Sequence, residues 1–111
     1  MAANQALGEA LTRLLATVDA RAAAQADTSY TAQLLSAGTP TCARKLGEEA
    51  VELIVAALDG DAAGAVGEAA DVMYHFAVLL KAARVDPAAV AAELARREGV
   101  SGLEEKASRG D

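Results

Sequence analysis

Leu7, Leu11, Leu14, Leu15 and Val18 recur at three- and four-residue intervals, the spacing that lines one face of an α-helix, and they predict an amphipathic helix over about residues 4–25. A second, shorter helix is expected to begin near Asp27, Thr28 or Ser29, whose side-chain oxygens can cap exposed amides, and to stop at Gly38 with Pro40 beyond. A third runs from about Thr41 to Leu58. Asp59, Gly60 and Asp61 then make a tight connection, and Asp61 can cap a fourth helix reaching about Ala83. Asp86 as cap and Pro87 in the first turn open a fifth, which runs through Ala88 to Glu98 and ends at Gly99. Ser101 and Glu104 stand at capping-box spacing, but the segment SGLEEKASRGD ends polar and glycine-bearing, so residues 101–111 read as a mobile tail with at most a short turn of helix. The fold class is therefore all-α: one helical domain over 1–111, with helices three and four as antiparallel neighbours forming its core hairpin.

Composition changes this picture in one respect. Thirty of the 111 residues are alanine and three are aromatic, which favours helices but gives each a thin apolar face. A bundle of such helices is expected to bury further apolar surface by self-association, as a homodimer. The formal charge of -6 and the lack of a Lys/Arg stripe exclude a duplex nucleic-acid binder, although a bound cation would still let an acidic protein hold phosphates. The single cysteine, Cys42, cannot form an intrachain disulfide and reads as a small buried thiol in a reducing, cytoplasmic setting. The N-terminal stretch has no basic start followed by a sustained apolar core, and no uncharged run of about 18 residues occurs, so neither export nor a membrane span is expected.

Candidate chemistry sits on helices three and four. At 100° per residue, Lys45, Glu48, Glu49, Glu52 and Asp59 share one sector of helix three, which on that helix alone could be the solvated face. Helix four is different. From Glu68 to Leu80 every residue is apolar, small or aromatic except Glu68, Asp71 and His75, which fall on one stripe. A helix apolar nearly all round belongs in the interior of an assembly, where carboxylates are costly unless paired or bound to a metal. No Arg or Lys occurs between 46 and 80 to pair with them. Glu52 and Glu68 are each eight residues from Gly60, and Glu49 and Asp71 are each eleven, so in an antiparallel hairpin the two acidic pairs face each other in adjacent layers. Four oxygen ligands, Glu49, Glu52, Glu68 and Asp71, suit a hard cation such as Mg²⁺ better than zinc; His75 reads as a supporting or packing residue.

The pattern EExxE at Glu48 to Glu52, followed by ExxD at Glu68 to Asp71, resembles the all-α nucleotide pyrophosphohydrolases, the MazG-like superfamily. Within it, SYTAQLL at 29–35, RKLGEEAVEL at 44–53, EAADVMYHFAVLL at 68–80 and SGLEEKASR at 101–109 are similar to the phosphoribosyl-ATP pyrophosphohydrolases of histidine biosynthesis. The strings run in order from about residue 29 to the C-terminus and leave only the first helix without one. Tyr30 stands where that family often has tryptophan, and Thr39 to Ala43 departs from its usual charged approach to the lysine. The resemblance implies Mg²⁺-dependent hydrolysis of 1-(5-phosphoribosyl)-ATP to 1-(5-phosphoribosyl)-AMP and pyrophosphate. It also turns Lys106, Ser108 and Arg109 from solubilising tail residues into substrate contacts, beside Lys45. Glu48, or one of the four ligands such as Glu49, is the expected acceptor of the water proton. Two other functions fit the residues: a related pyrophosphohydrolase acting on a nucleoside triphosphate, separable by substrate panel, and a non-catalytic helical dimerisation module, separable by the absence of metal-dependent heat and pyrophosphate release.

Overall fold

The computed structural model describes residues 2–110, which form six helices: α1 (Ala3–Ala22), α2 (Tyr30–Ala37), α3 (Thr39–Leu58), α4 (Ala62–Ala82), α5 (Pro87–Arg97) and α6 (Gly102–Arg109). The helix α1 ends three residues short of expectation, because beyond Val18 only alanine faces inward and no large apolar side chain holds another turn. Gly38 alone separates α2 from α3. Its φ of 99° is reached without strain only by glycine, and its N–H still donates to the Leu35 carbonyl. Pro40 therefore lies inside the first turn of α3, where a missing N–H costs nothing, and α3 starts at Thr39 rather than Thr41.

The hairpin of α3 and α4 is the centre of the molecule: α4 packs along α3 and also meets α1 and α2. Its turn is closed at both ends. Asp61 N–H bonds back to the Ala56 carbonyl and Gly60 N–H to Ala57, with Gly60 left-handed at φ 72°; the Asp61 carboxylate then accepts from Gly64 N–H at 2.9 Å and caps α4. The same motif ends α4, where Val85 N–H reaches the Leu80 carbonyl and Arg84 N–H reaches Lys81. There the left-handed position is filled by Arg84, at φ 58°.

The core is small: Val18 from α1, Leu34 from α2, Cys42 from α3 and Ala77 and Val78 from α4, flanked by Leu14, Leu15, Leu35, Tyr74, Leu79 and Ala82. Cys42 is fully buried and its thiol donates to the Leu34 carbonyl at 3.2 Å, so it ties α3 to α2, and burial pushes its pKa up. On the solvent side of α3, by contrast, Val51, Ile54, Val55 and Leu58 form an exposed seam at i, i+3, i+4 and i+7, with Val66 of α4 also exposed. The Cα radius of gyration is 15.9 Å, against about 13 Å for a compact domain of 100 residues.

The tail forms two helical turns rather than one. Ser101 Oγ accepts from Glu104 N–H, and Glu105 is buried by ion pairs with Arg96 and Arg97 of α5, at 2.7 and 3.9 Å. Arg96 and Arg97 also bind Glu93, whose carboxyl they hold at about 2.

The strain of a non-glycine residue in the left-handed position can be relieved at Arg84. Arg84→Gly is expected to stabilise the chain by about 0.5–1 kcal/mol, after the greater freedom of glycine in the unfolded state is subtracted. Urea unfolding followed by circular dichroism checks this; an unchanged or lower midpoint would contradict it.

Candidate metal centre

The turn at Gly60 sets the register of the hairpin, and that register decides where the acidic side chains go. Glu49 and Glu52 lie on the flank of α3 next to α4, and Glu68 and Asp71 lie on the facing flank of α4, each pair about one turn apart. Carboxylate oxygens of Glu49, Glu68 and Asp71 come within 4.8 Å of one another. Glu52 stands outside that group of three but within hydrogen-bonding reach of both Glu49 and Glu68. The structure thus brings the four carboxylates together, with Glu49 and Glu68 half-buried and Glu52 and Asp71 exposed.

Five basic side chains make ion pairs away from the cluster. Arg44 and Lys45 go to Glu48, Lys81 to Asp19, and Arg96 and Arg97 to Glu93 and Glu105. The cluster is correspondingly strained in charge. Burial, then a hydrogen bond to Glu52, then the charges of Glu52, Asp71 and Glu68 push the Glu49 carboxyl up from 4.5 to about 7. Burial, followed by the same kind of contact with Glu52, raises Glu68. One oxygen of each, Glu49 Oε2 and Glu68 Oε2, is buried with no hydrogen-bond partner. Orphaned carboxyl oxygens on two members of an all-oxygen donor set are what a hard divalent cation would satisfy, so these residues fit a metal.

Glu48 sits beside the cluster, held by Arg44 four residues earlier and by Lys45 Nζ at 3.9 Å. Sequence reading passed over Arg44, although its i, i+4 spacing to Glu48 was the available signal. His75 follows Asp71 by one turn and is buried; burial and then the charge of Lys45 lower its pKa, against the opposing pull of Asp71 and Glu48, and its Nδ1 has no partner. Tyr30 and Tyr74 pack around it, a contact between α2 and α4 that no spacing within one helix signals. In the tail, Ser108 Oγ donates to the Glu105 carbonyl and Lys106 makes no hydrogen bond or ion pair among the described residues. Arg109 lies on the same short helix. The structure therefore brings Lys45 and Glu48 to the edge of the cluster, while the helix that carries the tail residues is joined to α5 through Glu105.

Residues 11–98 match the phosphoribosyl-ATP pyrophosphohydrolase family, a span that includes the whole hairpin and ends before α6. This chain belongs to that family. It is 57% identical over 101 residues to a phosphoribosyl-ATP pyrophosphatase of Parvibaculum lavamentivorans, covering 91% of this chain and 93% of the relative. A phosphoribosyl-ATP pyrophosphatase of Cereibacter sphaeroides is 57% identical over 100 residues, covering 90% and 97%, and one of Rhizorhabdus wittichii is 56% identical over 99, covering 89% and 93%. As a phosphoribosyl-ATP pyrophosphohydrolase family member, the chain carries its acidic hairpin and its all-α fold together.

The raised Glu49 carboxyl has a consequence for pH. Between about 4.5 and 7 the folded, metal-free chain keeps a proton at Glu49 that the unfolded chain has released, so stability falls as pH rises through that window. A divalent cation must expel the proton, so its affinity rises over the same window and levels off above about pH 7. Thermal melts across pH, with and without the cation, check both statements; Glu49→Gln is expected to flatten the metal-free slope, and an equal slope in that variant would contradict the assignment.

Proposed function

We propose that this chain hydrolyses the α,β-phosphoanhydride of 1-(5-phosphoribosyl)-ATP, giving 1-(5-phosphoribosyl)-AMP and pyrophosphate, with Mg²⁺ held by Glu49, Glu52, Glu68 and Asp71. The observation that carries the metal part is the pair of buried, unpartnered oxygens on Glu49 and Glu68 within a cluster of oxygen donors. The substrate is that in the name of the family and of relatives that this chain matches along nine-tenths of its length. As a member of this family, the chain is a hydrolase acting on a phosphoanhydride.

When bound, Mg²⁺ would neutralise charge on the phosphate oxygens and on the departing pyrophosphate. The chain supplies the rest. Water is the nucleophile; its proton is assigned to Glu48, at the edge of the cluster, or to Glu49 within it. Lys45, only partly exposed and facing Glu48, is assigned to a phosphate beside the metal. Lys106, Ser108 and Arg109 are assigned to the far phosphates, an arrangement that needs α6 to approach a hairpin other than by its ties to α5. A cytoplasmic site of action suits a soluble biosynthetic enzyme with one buried, unpaired thiol.

The assembly is proposed to be a homodimer closed over the apolar seam of α3. Val51, Ile54, Val55 and Leu58 are half to four-fifths exposed, a contiguous stripe of the kind that marks an interface. Val51 and Val55 line the same hollow as Glu52 and Glu68, so a partner covering the seam would also wall the metal centre.

Glu49→Gln and Asp71→Asn are each expected to lower pyrophosphate release from phosphoribosyl-ATP by about 100-fold or more while helicity persists; a coupled phosphate assay with and without Mg²⁺ reads this, and unchanged turnover would sink the site assignment. Ile54→Asp should convert the dimer to monomer in sedimentation analysis. A wild-type chain that already sediments as a monomer would exclude the seam as an interface.

A further inference from the structure

The chain has only three aromatic residues and no tryptophan, yet two of the three stand together at the edge of the apolar core, Tyr74 packed against it and Tyr30 beyond it. Tyr30, at the start of α2, stacks on Tyr74 of α4 with ring centroids 6.3 Å apart and planes 17° from parallel. Both rings meet the imidazole of His75 edge-on, at 6.4 and 5.0 Å. Tyr74 is fixed from behind, its hydroxyl 2.6 Å from that of the buried Thr31. Tyr30 is not enclosed: half of it faces solvent. An aromatic serving only the core would be buried, as large apolar side chains gain by leaving water. Here a rigid backing of two rings holds a third ring open.

The position of this ring is informative. His75 stands one helical turn from Asp71 and feels the charges of Lys45, Asp71 and Glu48, so the imidazole links Tyr30 to the acidic centre. Its Nδ1 is buried without a partner, a vacant hydrogen-bonding position in a residue 6% exposed. An aromatic face open to solvent beside a centre for phosphate chemistry matches a nucleotide, whose base lies one ribose away from its α-phosphate.

We propose that Tyr30, backed by Tyr74 and His75, is the platform on which the purine of the nucleotide substrate stacks, and that it sets selectivity for a purine over a bare phosphoanhydride. This rests on the phosphoribosyl-ATP reading of the acidic centre. Stacking needs a π-face rather than a hydroxyl, so Tyr30→Phe and Tyr30→Trp are expected to keep KM for phosphoribosyl-ATP within about twofold, whereas Tyr30→Leu, of similar bulk and apolar, should raise it about tenfold with little change in kcat. Because the chain lacks tryptophan, Tyr30→Trp also introduces a single emitter at the site. Its fluorescence, excited where adenine is transparent, should be quenched on titration with adenosine monophosphate and not with inorganic pyrophosphate. A KM in Tyr30→Leu equal to wild type, or an emission that adenosine monophosphate leaves unchanged, would overturn the platform. Failure of the wild-type chain to hydrolyse phosphoribosyl-ATP would instead overturn the substrate reading, and the fluorescence titration would still report whether a purine stacks on residue 30.

Discussion

Mutual repulsion among Glu49, Glu52, Glu68 and Asp71 is the constraint around which this molecule is arranged. Four like charges brought this close on one hairpin oppose its closure, and the metal-free chain answers by retaining a proton where an ordinary carboxylate would have lost it. Nearby arginines could have relieved the repulsion, but Arg44, Lys45, Lys81, Arg96 and Arg97 are paired with other acids, at Glu48, Asp19, Glu93 and Glu105. The hairpin is held shut instead by its turn, by the packing of α4 on α3, and by a core whose largest members are a valine or two, a leucine and a thiol. Function and stability therefore oppose each other along a single helix pair, a common price of a preorganised charge site.

The thinness of the core follows from composition. Alanine builds helices readily but buries little, so apolar surface remains exposed on the outer side of α3 and at the face of Tyr30. The α5–α6 unit is handled differently. Its cohesion comes from charge, with Glu105 buried against Arg96 and Arg97, an arrangement sensitive to loss of either partner but undemanding of apolar residues.

Much of this could be read from the chain itself. The hairpin, its Asp-Gly-Asp turn and the levels at which the carboxylates face each other follow from helical spacing and from one glycine, because both are local rules. The thiol character of Cys42 was also legible. What escaped were relations between helices. Periodicity on α3 marks an apolar back but not whether another element covers it, so the exposed seam could be inferred only as a general need for a partner. Pro40 looked like punctuation after α2 and turned out to be the first turn of α3, since a single left-handed glycine suffices to join two helices. The tail seemed too polar to fold beyond one turn; it gains a second because Glu105 finds two arginines on α5, nine and eight positions earlier. The meeting of Tyr30 with His75 joins residues 45 positions apart, beyond any local pattern.

The turn at Gly60 has a last consequence. In most proteins a surface connection is the place where length can vary freely, because an added residue changes chain entropy very little. Here α3 and α4 act as two rulers read against each other from a common zero. One residue inserted between Glu52 and Gly60 would lift Glu49 and Glu52 by 1.5 Å and swing them through 100° about the axis of α3, taking two of the four charges off the shared flank while leaving every helix intact. The count of residues on each side of the glycine is thus itself a functional quantity, one that tolerates changes of side chain far better than changes of number.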